Sequence, residues 1–393
     1  LVLLIGWSNP LDLQTVIPKE GQGLNPLLQN PAMAIHPPSL YLGFIGFSVP
    51  FAFAMGGLIR GKLDNEWVLT TRRWTLMAWY FLSAGLILGG QWAYEELGWG
   101  GFWAWDPVEN AALMPWLTGT AFLHSVMIQE KRNMLKIWNV VLIITTFGLT
   151  IIGTFLTRSG IVNSVHSFTQ SEIGPAFLVY LALVLIAGFA LLFKRIQMLE
   201  SEYKIESVLC RENVFLAQNI LLVGIAFTVL LGTTFPLLAE AVRGTKLSIQ
   251  APFFNTITAP MGYALLILMG IGMLISWRKS SMDNLRRNFL NPLIIATSGT
   301  LFLFWLLFEN NLQWGVYIIF WSTIFVTSTI FFEFVKATQI KTKQTDSNIL
   351  MGFFYVISKN RRRYGGLIIH LGVVLMFLGF AGSFFSLEKD LTL

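Results

Sequence analysis

Trp138-Asn-Val-Val-Leu-Ile-Ile-Thr-Thr-Phe-Gly-Leu-Thr-Ile-Ile-Gly-Thr-Phe-Leu-Thr157 runs uncharged from end to end, with Lys136 before it and Arg158 after it. An α-helix rises ~1.5 Å per residue, so a run of about 20 residues crosses a ~30 Å hydrocarbon core. Working outward, comparable stretches fall at 39–59, 74–91, 110–129, 175–193, 214–235, 261–277, 291–308, 315–334 and 366–386. The expected fold is therefore all-α: a polytopic integral membrane protein of about ten spanning helices. Residues 1–7 (LVLLIGW) read as the tail of an earlier helix. One transmembrane domain is expected over 1–393, with residues 92–110 as an outward segment within it.

The bulk composition agrees. Fifty-four per cent of residues are hydrophobic and 12% charged, against roughly a quarter charged in soluble domains. The net charge of +6 is no nucleic-acid footprint, because the basic residues sit in short loops between apolar runs. No cleavable signal pattern is read at the start. A single cysteine, Cys210, excludes an internal disulfide, a cysteine-based metal site and a C-x-x-C-H motif in this chain.

Orientation follows from the basic residues. Loops 60–73, 130–137, 194–213, 278–290 and 335–365 hold 4, 3, 4, 4 and 7 Lys/Arg, 22 in all. The opposite loops and the two ends hold Lys19, Arg158, Arg243, Lys246 and Lys389. This asymmetry predicts that the basic loops face the cytoplasm and that 92–109 faces outward. Within the ten spans the only acidic or basic side chain is Glu333, at a cytoplasmic helix end. Ion-coupled transporters usually carry charges near the midplane, so a plain transporter is disfavoured.

The four histidines sort by depth. His124 and His370 each lie about five residues inside the cytoplasmic boundary of their predicted spans. Two neutral imidazoles at one level can supply both axial ligands of a haem iron; the alternative is an interhelical hydrogen bond from each. His36 precedes Pro37-Pro38 ahead of the first span, where the following proline predicts an extended backbone. His166 lies in the outward loop after the fourth span.

Between those two comes Gly98-Trp-Gly-Gly-Phe-Trp-Ala-Trp-Asp-Pro-Val-Glu-Asn110. Trp99, Phe102, Trp103 and Trp105 crowd four rings beside glycines, with Trp92 and Trp116 near. Such a cluster suits a flat apolar ligand approached closely by backbone, whereas an interfacial aromatic belt is the plainer account. Asp106, Pro107 and Glu109 match a capping box for the third span.

These residues carry a resemblance. Trp99 to Asn110 resembles the tryptophan-rich WWD signature of membrane haem-handling proteins, most closely the CcmF/NrfE-type cytochrome c haem lyases. Asn25–Gln29, His36–Tyr41, Gly153–Gly160, Val165-His166 and Pro252–Thr256 are similar to that family too. The WWD run alone also fits the smaller CcsA-type synthases. Phe102 and Ala104 depart from the pattern, standing where many relatives carry larger aromatics. Relatives usually begin with extra helices and continue past the equivalent of Asp390 into an outward soluble domain, so the expectation is a chain lacking both.

The resemblance implies attachment of haem to apocytochrome c through the thiols of a C-x-x-C-H motif. It implies that His36 and His166 ligate a transient outer haem, and that His124 and His370 hold a permanent haem b relaying electrons, with quinol as donor. Trp99, Trp103, Trp105 and Asp106 would be the catalytic segment, acting by positioning, and Arg158 a partner for a haem propionate or else an interfacial anchor. Implied partners are a haem chaperone of CcmE type, the apocytochrome and a thiol-handling subunit of CcmH type. The implied location is the bacterial inner membrane with the attachment face periplasmic, or the mitochondrial inner membrane. A haem conduit or transmembrane electron carrier without ligase chemistry is the alternative reading.

Overall fold

Asn30 starts the first long helix. Its side-chain oxygen accepts the Ala32 N–H at 2.8 Å, and Pro31 takes a first-turn position where a missing N–H costs nothing. From there the computed structural model is helical almost throughout. It describes residues 5–6, 9, 11, 19–21, 23–98, 100–159, 164, 173–201, 203, 205–244, 247–307 and 313–385. Trp99 and His166 lie outside the described residues.

The helices are α1 (Pro31–Gly46), α2 (Ser48–Arg60), α3 (Glu66–Glu96), α4 (Pro107–Arg132), α5 (Lys136–Arg158) and α6 (Gly174–Lys194). There follow α7 (Arg211–Arg243), α8 (Ala251–Leu274), α9 (Met282–Leu306), α10 (Trp314–Thr345), α11 (Ile349–Lys359) and α12 (Arg361–Gly382). No strand occurs among the described residues. Among the described residues, nine stretches are long and apolar enough to cross a membrane, α1 and α2 counting together as one. The expected span 74–91 is present as α3, 31 residues long. It is less apolar than the rest because Trp74, Trp79, Tyr80, Gly89 and Gly90 stand where other spans carry Leu and Ile.

The first span departs from expectation. His36 is not extended: it lies inside α1, which begins at Pro31 and contains Pro37 and Pro38. Those prolines remove two donors from the helix ladder, but the Asn30 cap and the packing of α1 on α3 hold the helix through them. The break comes later, at Phe47. Pro50 has no N–H for the Gly46 carbonyl, and the Phe47 ring is wholly buried against Gly119 of α4.

Packing of α1 on α3 is unusually close. A methyl group on Gly43 would sit 2.7 Å from Leu82 Cβ, one on Gly46 2.8 Å from Ala78 Cβ, and one on Gly85 2.6 Å from Leu40. Small residues let membrane helices approach where no water-driven hydrophobic term favours association. Above this seam Trp92 is buried and donates its indole N–H to the Leu27 carbonyl at 2.8 Å, fixing the 3-10 turn Pro26–Leu28.

Contacts divide the chain into two compact units, 1–204 with 219–258, and 205–218 with 259–393. In the first, α4 and α5 form the centre: Thr146 donates to Thr118 at 2.9 Å and Asn139 to Gln129 at 2.6 Å, all four buried. α6 turns Leu183, Ile186 and Phe193 outward, the face a lipid-exposed helix requires. In the second unit α10 is the axis. Phe325 is buried and stacks on Trp321 with centroids 5.4 Å apart, beside Ala296 and Leu367. Glu333 is bridged to Arg363 at 2.6 Å. Arg211 donates to the Met273 and Ile275 carbonyls at 3.0 Å, satisfying the end of α8.

Candidate functional site

The Trp segment is held by a sequence of polar locks built on the start of α4. Asp106 caps that helix: its carboxylate accepts the Val108 N–H at 2.9 Å, while the Glu109 carboxylate accepts the Asp106 and Ala104 N–H groups at 3.1 and 3.0 Å. The capping box read from the sequence is thus present. Asp106 Oδ1 also accepts the Ser164 hydroxyl at 2.7 Å. Ser164 stands two residues before His166 in the sequence.

Trp105 adopts a left-handed backbone, φ 59°, uncommon for a bulky residue and found where surrounding structure over-determines the fold. The supports are identifiable. Asn110, buried, donates to the Trp105 carbonyl at 3.0 Å and to Thr233 Oγ1 at 3.0 Å. The Trp105 indole N–H reaches Asn255 Oδ1 at 2.8 Å, and its ring stacks on Phe254 with centroids 4.9 Å apart and planes 12° apart. Trp103 meets Trp105 edge to face, centroids 5.9 Å apart. The rings of Trp103, Trp105 and Phe254 thus form one contiguous aromatic wall.

His36 lies against α3. Its Nδ1 is 2.7 Å from the Gly85 carbonyl, and a methyl group on Gly89 would come within 2.5 Å of its ring. With Nδ1–H donating to that carbonyl, the lone pair belongs to Nε2. His124 on α4 has the same arrangement, Nδ1 being 2.8 Å from the Thr120 carbonyl. Metal-bound histidines characteristically give their second ring N–H to a carbonyl, which fixes tautomer and ring direction. Thr120 is itself fixed, its hydroxyl accepting the Trp79 indole N–H at 2.8 Å and donating to the Trp116 carbonyl at 2.7 Å.

Arg158 donates to the Tyr41 hydroxyl at 3.1 Å; Tyr41 is on α1, five residues from His36. His36, Trp103, Trp105, Asp106, His124 and Arg158 all belong to the first unit, and His370, on α12, to the second. His124 is eight residues from the basic end of its helix and His370 nine residues from the basic start of its own. Among the described residues no three of His, Cys, Asp and Glu converge as a metal-ion cage.

Sequence reasoning missed the supports: Asn110, Phe254, Asn255 and Gly85 were not named individually. Phe254 and Asn255 carried a signal, since both fall within the Pro252–Thr256 stretch that carries the resemblance. Asn110 carries the same signal, as the last residue of the Trp99–Asn110 stretch; nothing local marks Gly85.

The comparisons with known proteins point one way. A family model described as "Cytochrome C assembly protein" matches residues 2–162, a stretch that takes in His36, the Trp segment, His124 and Arg158. The Cytochrome c-type biogenesis protein CcmF of Pseudomonas aeruginosa is 39% identical over all of this chain and 58% of its own length. The chain resembles the CcmF proteins along its whole length. The Escherichia coli CcmF is 44% identical over 77% of the chain and 46% of that protein. A solved structure titled "Cytochrome c Heme Lyase CcmF" superposes with a TM-score of 0.72 at 36% identity, covering 90% of this chain and 51% of that one. The matches thus span 46% to 58% of the length of these CcmF relatives.

Proposed function

We propose that this chain is the membrane haem-handling part of a cytochrome c haem lyase. The observation that carries the reading is the orientation of His36. Its Nδ1 is engaged by the Gly85 carbonyl and its ring pinned by Gly89, in the same unit as an aromatic wall on Trp103 and Trp105. A haem substrate placed there would take an imidazole ligand from His36, with His166 as the other, and bury its apolar faces against the Trp rings. Arg158 suits a propionate, since arginine binds carboxylates bidentately.

The covalent step needs no nucleophile from this chain. The two cysteine thiols of a C-x-x-C-H motif add across the two haem vinyl groups, each S–H giving one C–S and one C–H bond. The chain contributes orientation and exclusion of water, holding haem and peptide in reacting geometry. One histidine ligand yields its place to the histidine of the incoming motif. His124 and His370 are the residues that would hold a resident haem b, which when bound supplies an electron to keep the substrate iron reduced. A quinol donor, a CcmE-type chaperone delivering haem and a CcmH-type subunit presenting the apocytochrome complete the assembly. It acts at the periplasmic face of an inner membrane.

The test is haem transfer by the purified protein, with its partners, to a C-x-x-C-H peptide. The expected product resists acid–acetone extraction and is missing when both peptide cysteines are serine. Stable haem binding with no covalent product would leave a conduit or electron carrier instead.

A further inference from the structure

We propose that α11 and the basic residues flanking it form a binding site for an anionic phospholipid of the leaflet adjoining the basic loops. At 11 residues the helix is about 16 Å long, far short of a span. Gly352 and Val356 are its buried seam: a methyl group on Gly352 would run into the Thr342 hydroxyl and come within 3.3 Å of the Thr338 carbonyl. This seam fastens α11 to α10. The opposite face is apolar and outward, with Leu350, Met351 and Phe354 each about two-thirds exposed, at 69%, 64% and 66%. A short helix with such a face lies in the interface plane, its apolar side among acyl chains.

Charge identifies the occupant. The loop region 335–365 carries Lys336, Lys341, Lys343, Lys359, Arg361, Arg362 and Arg363 against Asp346 alone. Lys341 and Lys359 converge on one ring, their ammonium nitrogens 4.3 and 5.7 Å from the Tyr355 centroid. Beside that ring opens a cavity of about 760 Å³, walled by Met351, Phe354, Tyr355 and Ile357 and rimmed by Ser358 and Arg361. A smaller one of about 360 Å³ is lined by Glu333, Lys336, Lys341, Asn360 and Arg363. An apolar trough edged by cations fits an acyl chain joined to a phosphodiester. A zwitterionic headgroup would bring its own cation into the same field; an anionic one does not. Clusters of Lys and Arg at a cytoplasmic membrane surface recognise anionic lipids on this ground.

The inference is independent of the haem reading. The purified full chain in neutral detergent is offered phosphatidylglycerol and phosphatidylcholine at equal concentration, and retained lipid per protein is measured by native mass spectrometry. The expected result is at least tenfold preference for phosphatidylglycerol. The triple variant Lys341→Gln/Lys359→Gln/Arg361→Gln should lose that preference, since each basic residue near an anionic surface contributes about fivefold. Phe354→Ser should reduce retention without changing the charge. Millimolar inorganic phosphate should not displace the lipid. Equal retention of the two lipids by the wild type, full retention by the triple variant, or displacement by phosphate alone would each overturn the proposal.

Discussion

Trp105 and Asn255 are joined by a 2.8 Å hydrogen bond from indole N–H to side-chain oxygen, across 150 positions of sequence. The bond holds a residue whose backbone is left-handed, so the outward Trp segment is anchored by α8 as well as by its own cap. Replacing Asn255 by Leu removes the acceptor at similar size, and with it an exposed hydrogen bond worth about 0.5–1.5 kcal/mol net. The expected outcome is a several-fold loss of outer-site haem occupancy with unchanged membrane abundance, measured by haem content per protein. Unchanged occupancy would show that the Phe254 stack and the Asn110 bond place Trp105 without it.

Aromatic character, rather than tryptophan as such, should govern the Trp segment. Trp103→Phe keeps an edge for Trp105 and is expected to be mild. Trp103→Ala removes a contact worth about 0.5–1.5 kcal/mol beyond burial, and should weaken haem retention by up to about tenfold. The double variant Trp103→Ala/Trp105→Ala should nearly abolish it. Lost abundance with unchanged occupancy per molecule would assign the rings to membrane anchoring instead.

Gly89 faces the His36 ring, and the methyl of Gly89→Ala would stand 2.5 Å from its Cε1. The ring must turn, breaking its bond to the Gly85 carbonyl. The expected phenotype resembles His36→Ala: cytochrome c formation falls at least tenfold while stably bound haem persists. Gly43→Ala is the control, because its methyl would meet the Leu82 backbone at 2.8 Å and should lower abundance instead. Wild-type activity of Gly89→Ala would contradict the assigned orientation of His36.

Much of this fold is written in the sequence, for a physical reason: a bilayer forces uncharged runs of nearly fixed length and sorts the basic loops. Trp138–Thr157 and the capping box at Asp106 needed nothing beyond local pattern. His36 was misread because Pro37 argues locally for extended backbone, whereas the Asn30 cap and the tight seam against Gly85 and Gly89 act from outside that window. α11 was overlooked because 11 residues fall below any spanning length. Gly85 acts through a backbone carbonyl, which leaves no pattern along the chain, and the buried amide of Asn110 shows its partners Trp105 and Thr233 only in the fold.

Cys210 tests the packing of the second unit. It is buried, its thiol 2.9 Å from the Ser207 carbonyl, and burial pushes its pKa up. A raised pKa means less thiolate at a given pH, so alkylation by iodoacetamide at pH 8 should be much slower than for a free thiol. Unfolding should restore the ordinary rate. Fast labelling of the native protein would mean that the loop before α7 is open.

Two separate haem positions served by four histidines would show in the reduced-minus-oxidised absorption spectrum of the purified protein. The expected b-type signal disappears in His124→Ala and in His370→Ala. The same signal persists in His36→Ala and in His166→Ala, although both fail to form cytochrome c. Equal loss of the signal in all four variants, or its full retention in His124→Ala and His370→Ala, would mean that the histidines do not divide in this way.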